Sequence, residues 1–126
     1  MATRAAEVIG YAKAKISRQK KVVRDLAGLA RKVMAEDASV EKVILFGSLA
    51  GDTFTARSDA DLLIVLKDSD LRFLDRIPRF LLLFAGAPVP TDVFPYTEEE
   101  TKRVSLARRA ISTGVVLSAR AKRGRA

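Results

Sequence analysis

An uninterrupted apolar run in the middle of the chain restricts the fold more than any other feature. Residues 61–66, DLLIVL, place five apolar residues after an aspartate and have the length of a strand. Since polar residues do not alternate with the apolar ones, such a strand is covered on both faces. The run therefore predicts a strand in the middle of a sheet.

Helical and strand-like patterns alternate along the rest of the chain. Apolar residues three to four positions apart predict helices over residues 3–36 and 71–84, and a capping-box pattern predicts a last helix over residues 97–112. Runs rich in β-branched and aromatic residues predict strands over residues 40–46, 91–94 and 115–117. There is no internal repeat, and the alternation predicts an α/β or α+β sheet with helices packed on it.

Two of the predicted helices contain signs of a break. The polar residues 17–21 are a candidate break in the first helix. Pro78 predicts either one kinked second helix or two short ones, because proline lacks an amide donor and disfavours helix at the preceding residue. Gly86 is the predicted C-cap of this second helix.

The C-terminal third has its own boundary signals. Pro90 and Pro95 bracket the third strand, where each proline would sit at an end and cost no ladder hydrogen bond. Thr97 and Glu100 have the spacing of a capping box, which predicts the start of the last helix. Gly114 is its predicted end.

The length fits one domain over residues 1–126. We expect residues 1–37 to form an N-terminal helical segment, 40–117 the core that carries the chemistry, and 118–126 a basic, disordered tail. The longest apolar run, residues 80–85, is far shorter than the roughly 20 residues that cross a bilayer. No N-terminal stretch has the apolar region of a secretory signal, so no membrane association and a cytoplasmic location are expected.

Composition narrows the chemistry further. The chain has no cysteine and no histidine, which excludes thiol catalysis, zinc thiolate sites and the usual proton shuttle at neutral pH. Its net charge of +8 favours polyanions such as nucleotides, nucleic acid or an acidic protein. Solvated helix faces and a basic tail are the favoured interpretation of this charge, and nucleic-acid binding remains open. Much of the excess lies at the two ends, in Lys13, Lys15, Arg18, Lys20 and Lys21 and in Arg120, Lys122, Arg123 and Arg125.

Asp59 and Asp61 are the first candidate functional residues. They lie two positions apart at the start of a strand, so both carboxylates point to one face. Neighbouring carboxylates repel unless a cation lies between them, and oxygen-only ligands at a phosphate site favour Mg²⁺ or Mn²⁺ over zinc. Asp92, on a later strand, is a candidate third carboxylate.

Gly47 and Ser48 are the second candidate pair. They follow a predicted strand, which places backbone amides and the Ser48 hydroxyl where they can hold a phosphate oxygen. Taken alone, a Gly-Ser turn or an Asp-x-Asp pair is a common loop feature. Their joint spacing is more informative.

The combined pattern resembles the signature of the minimal nucleotidyltransferases of the DNA polymerase β superfamily. Gly47-Ser48 is followed after ten residues by Asp59-Ala60-Asp61 and a hydrophobic strand, and Asp92 follows within Pro-Thr-Asp-Val-Phe. The likeness covers residues 40–95, and the segment 97–117 is similar to the family's C-terminal end. It implies a small mixed β-sheet flanked by helices, with nucleotide bound by Gly47 and Ser48 and metal by the three aspartates.

One position departs from that family. Its members often have Ala-Arg-Gly after the Gly-Ser pair, whereas this chain has Leu49-Ala50-Gly51 and lacks the arginine. Arg57 is a candidate replacement for this cationic contact with the nucleotide.

The resemblance implies an activity and a partner. It implies transfer of a nucleoside monophosphate, AMP from ATP, to a hydroxyl, with Asp92 as the candidate proton acceptor. It also implies a HEPN-type partner protein in a toxin–antitoxin pair, with a homo-oligomer as the other expected assembly. Two further hypotheses remain open: a non-catalytic subunit that neutralises its partner by binding, and a basic nucleic-acid module, which the scarcity of aromatic residues disfavours.

Overall fold

A computed structural model describes residues 4–51 and 58–121 of the chain. The helices are α1 (Arg4–Glu36), α2 (Phe73–Leu83), α3 (Glu98–Thr101) and α4 (Ser105–Thr113). The strands are β1 (Val40–Phe46), β2 (Ala60–Leu66), β3 (Thr91–Thr97) and β4 (Val115–Ala119). A short 3₁₀ turn, Ser48–Ala50, follows β1.

The four strands form one mixed sheet in the order β3-β2-β1-β4. Strand β1 pairs antiparallel with β2 and β4, and β2 pairs parallel with β3. The apolar run of β2 therefore lies inside the sheet, as predicted, and Leu62, Leu63 and Ile64 are fully buried.

Alternating residues of the central strands serve two separate cores. Leu62 and Ile64 pack with α1 and α2 on one face of the sheet. Leu63 and Val65 pack with Ala107 and Ala110 of α4 on the other face. The predicted α/β fold, a small mixed sheet flanked by helices, is confirmed. Every second residue of β2, counted from Leu63, lies on the face of the sheet that α4 covers.

Helix α1 is continuous over 33 residues, so the predicted break at residues 17–21 is wrong. These residues are polar and mostly exposed, and without glycine or proline among them nothing interrupts the helical hydrogen bonds. The first fully buried residue of α1 is Leu26, and the turns before it are largely exposed. At the other end, the Arg120 guanidinium donates to the carbonyls of Met34 at 2.8 Å and Asp37 at 3.2 Å.

The prolines and the end of the second helix differ in part from the prediction. Helix α2 is one helix that contains Pro78, so of the two predicted alternatives the pair of short helices is wrong, and its C-cap is Phe84 rather than Gly86. Strand β3 passes through Pro95 and ends at Thr97. Because β3 is an edge strand and the Pro95 carbonyl accepts from Arg76 on its outer side, the missing amide of Pro95 costs no bond to β2.

The C-terminal region follows its local signals with two differences. The capping box is present, since Thr97 accepts from the Glu100 amide at 3.2 Å and its own amide donates to the Glu100 carboxylate at 2.8 Å. The predicted single helix is divided into α3 and α4, and Gly114 caps the second.

Strand β4 extends to Ala119, and the Arg120 amide donates to Glu41 at 2.9 Å. The predicted tail boundary at residue 118 is therefore corrected. Within the described ranges, no helix combines the length and hydropathy of a membrane span.

Candidate functional site

The parallel pairing of β2 and β3 brings together two of the aspartates that were predicted to bind metal. Asp61 is in register with Asp92 on β3, and on its other side it faces Phe46 at the end of β1. Asp61 lies two positions before Leu63 in the strand, so both side chains point to the same face of the sheet, the one that α4 covers. Asp59 lies just before β2 and is exposed.

The three aspartates form one electrostatic unit. Burial raises the pKa of Asp61, and the negative charges of Asp92 and Asp59 raise it further. Each of these causes makes the ionised form of Asp61 costly in the protein without a bound cation. The three carboxylates therefore produce a concentrated negative potential at this sheet edge.

Gly47 packs directly against the Asp61 carboxylate. Its φ of +80° lies in the region that favours glycine, and a Cβ atom at this position would overlap Oδ2 of Asp61. Both the backbone conformation and the available space require glycine here. The Gly-Ser turn and the aspartates, which were two separate sequence signals, thus meet at one site.

A second contact connects the turn after β1 with the start of β2. The Ser48 hydroxyl donates to Ser58 Oγ at 3.2 Å, across the ten-residue separation of the sequence pattern. Ser58 is buried. The contact fixes Ser48 beside the chain segment that leads into Asp59 and Asp61.

A cleft of about 650 Å³ opens next to this turn. One wall is the end of β1 with the turn, and the other is a single face of α4, because positions 105, 109 and 113 are four residues apart. Sequence reasoning missed Arg109, whose relevance depends on α4 packing over the sheet. The lining residues are Phe46, Gly47, Ala50, Gly51, Ser105, Leu106, Arg109 and Thr113.

A sequence model of the nucleotidyltransferase domain matches residues 28–114, which is more than half of the chain. The chain belongs to this family. The matched range includes both the Gly47 turn and all three aspartates of the nucleotidyltransferase domain.

Two solved structures share its fold. A candidate nucleotidyltransferase from Sulfolobus solfataricus is 23% identical, with a TM-score of 0.63 over 86% of this chain and 89% of the other. A toxin–antitoxin structure with AMP-PNP contains a chain 18% identical, with a TM-score of 0.57 over 75% of this chain and 73% of the other. A search of curated protein sequences gave no match. At these identities the structural likeness establishes the fold of the nucleotidyltransferase domain.

The donor chemistry of the site fits a hard divalent cation. The aspartates offer only oxygen, and the ion pairs found within residues 4–51 and 58–121 do not include Asp59, Asp61 or Asp92. Among all the residues that the structure describes, no three acidic side chains are grouped so that they could hold a metal ion together. Since Mg²⁺ usually takes one or two carboxylates and completes its shell with phosphates and water, the site fits a cation that arrives with a nucleotide.

Arg57, the candidate nucleotide contact, lies outside the described residues. Its role stays a prediction.

Proposed function

We propose that this nucleotidyltransferase domain transfers AMP from ATP to a hydroxyl group on a partner protein, with Mg²⁺ or Mn²⁺ as the metal. The observation that carries the proposal is the meeting of Asp61, Asp92 and Gly47 at one sheet edge beside a cleft. A transferase site of this kind needs a phosphate-binding turn and paired carboxylates within reach of one another.

Each group in the site has a defined task in this reaction. Gly47 and Ser48 would hold the triphosphate, and Asp59, Asp61 and Asp92 would hold the metal. A bound metal would supply polarisation of the attacking oxygen and neutralise charge on the phosphates. The acceptor oxygen forms a bond to the α-phosphorus, the bond from that phosphorus to the β-phosphate oxygen breaks, and pyrophosphate leaves. Asp92 would take the hydroxyl proton.

Arg109 is our candidate for the cation that is missing after Gly47-Ser48. Its side chain lines the cleft opposite Gly47, and it forms no ion pair with another described residue. A guanidinium in this position matches the charge and geometry of phosphate oxygens. We place the triphosphate of the nucleotide in its reach.

Replacing Arg109 with glutamine is expected to weaken the affinity for magnesium-bound ATP about tenfold or more, the effect of losing a hydrogen bond to a charged group. Affinity for AMP should change little, because AMP lacks the outer phosphates. Calorimetric titration measures both. Arg108→Gln is the matched control, since this neighbouring arginine does not line the same cleft. Equal losses in both variants would show a general charge effect and contradict the assignment.

The exposed half of α1 is the surface we propose for the partner. Residues 4–21 carry six lysines and arginines against one glutamate, and Val8, Tyr11 and Ile16 are each at least half exposed. This combination fits an acidic helical protein, of the HEPN type that the sequence resemblance implies. The alternative surface, residues 80–84, is weaker because Phe80 and Phe84 are buried in the core.

The decisive test is incubation with ATP, magnesium and the protein encoded by the adjacent reading frame. We expect the intact mass of that partner to increase by one AMP, and no increase without magnesium. Neutralisation of the partner with no mass change would favour a binding subunit that does not catalyse transfer. Salt-dependent binding of DNA or RNA in place of ATP would favour the nucleic-acid module.

A further inference from the structure

Gln19 connects the long helix α1 to the nucleotide-binding turn. Its side-chain amide donates to the carbonyl of Leu49 at 2.9 Å and to the carbonyl of Gly51 at 3.0 Å. These carbonyls lie 30 and 32 residues away along the chain. Leu49 directly follows Ser48 and Gly51 lies two residues later, so one side chain bonds to two peptide groups of the turn.

The two carbonyls differ in what else holds them. Leu49 is fully buried, so its own side chain already anchors that part of the turn. Gly51 has no side chain, and apart from its chain neighbours no atom of the described residues lies within 4 Å of the place its Cβ would take. Its amide bonds to the Ser48 carbonyl at 3.3 Å, a long hydrogen bond. The donation from Gln19 is therefore the stronger restraint on the end of the turn.

We propose that Gln19 is a positioning residue that keeps the turn at residues 47–51 in the conformation that receives the triphosphate. The inference rests on the proposed nucleotide binding. Gln19 lies on the side of the turn that packs against α1, and the cleft lies on the side that faces α4. It acts by fixing the direction of peptide groups in the turn, so that those facing the cleft are ready for phosphate before it binds.

The test compares two substitutions of Gln19 with a neighbouring control. Gln19→Glu keeps the size and helical preference of the side chain but removes both donors and places carboxylate oxygens against two carbonyls. Gln19→Lys keeps a donor. Arg18→Gln alters the net charge by the same amount as Gln19→Glu, at an exposed neighbour.

We expect Gln19→Glu to weaken affinity for magnesium-bound ATP about tenfold through the loss of its hydrogen bonds, Gln19→Lys to restore most of it, and Arg18→Gln to have no effect. Without nucleotide, amide hydrogen exchange at Ala50 and Gly51 should be faster in Gln19→Glu than in the wild type. Thermal unfolding of each variant confirms that the fold is intact.

Two outcomes would overturn the role of Gln19: unchanged ATP affinity in Gln19→Glu, or reduced affinity without faster exchange in the turn. If the wild type itself binds no magnesium-bound ATP, the proposed function fails instead. The exchange measurement then still decides whether Gln19 restrains the turn.

Discussion

Asp61→Asn is expected to reduce the affinity for magnesium-bound ATP by more than about 100-fold, because even partners outside the ligand shell of a metal are worth about 10–100-fold. The substitution removes the carboxylate that lies next to Asp92 in the sheet and packs against Gly47. Calorimetric titration of ATP with and without magnesium measures the loss. AMP transfer to a partner should disappear in the same variant.

The same substitution should leave the protein as stable as the wild type, or more stable. Burial and the charges of Asp92 and Asp59 raise the pKa of Asp61, so its ionised form destabilises the native state at neutral pH. A raised native pKa means that the wild type loses stability as the pH rises through that pKa, and the asparagine variant should lack this loss. Thermal unfolding from pH 4, close to the ordinary aspartate pKa of about 3.9, up to pH 8 tests it, because a raised pKa moves the titration of Asp61 into this window.

Asp70→Asn is the control for the change in charge, because Asp70 is exposed and follows the opposite end of β2. It should not alter ATP affinity. A sharp loss of stability in Asp61→Asn, with ATP binding retained, would mean that the aspartates serve the structure and not the chemistry.

The sequence contained enough local information to predict the carboxylate pair. From Leu62 to Leu66, strand β2 contains no polar residue, and β1 and β2 were predicted to within one residue of their observed bounds. Asp61 and Asp92 each lie near the start of a strand, and in a parallel pair the two starts share an edge. Their adjacency is observed, while their roles in metal binding remain predictions.

Residues whose contacts depend on packing were not visible in the sequence. Gln19 meets the turn 30 residues away, and Arg109 faces the cleft only because α4 packs over the sheet. Pro95 was read as the end of a strand, since sequence alone does not reveal that β3 lies at the edge of the sheet. Local rules locate elements, whereas pairings between distant segments decide which of their side chains meet.

Arg76 illustrates such a pairing and leads to the second large prediction. Its side chain is only 6% exposed and joins three segments. It donates to Leu71 at 2.8 Å, to the Pro95 carbonyl at 3.1 Å and to the Glu100 carboxylate at 2.5 Å. The guanidinium thus holds α2 against β3 and the capping box that follows it.

Arg76→Ala is expected to lower the free energy of unfolding by about 3 kcal/mol, the lower end of the usual cost of removing one partner from a buried ion pair, because the Glu100 side chain is 26% exposed. This is a large share of the roughly 5–15 kcal/mol that stabilises a typical domain. Urea denaturation measures it. Arg72→Ala is the control, because the ion pair of Arg72 with Asp75 is exposed and should contribute less than about 1 kcal/mol. Similar losses in the two variants would show that burial of the Arg76 ion pair does not increase its contribution to the free energy of unfolding.

The pH dependence of stability gives an independent check on the same pair. The hydrogen bond from Arg76 lowers the pKa of Glu100 against the opposing effect of burial, and the Thr97 amide lowers it further. Since the native pKa lies below the unfolded value, the stabilisation is complete above the unfolded pKa of about 4.5 and is lost as the pH falls through the native pKa. Arg76→Ala should therefore lose less stability on acidification than the wild type does. Glu100→Gln, which keeps a side-chain acceptor for the Thr97 amide but no charge, should flatten the same part of the curve, and an unchanged acid slope in both variants would rule out this pair as its cause.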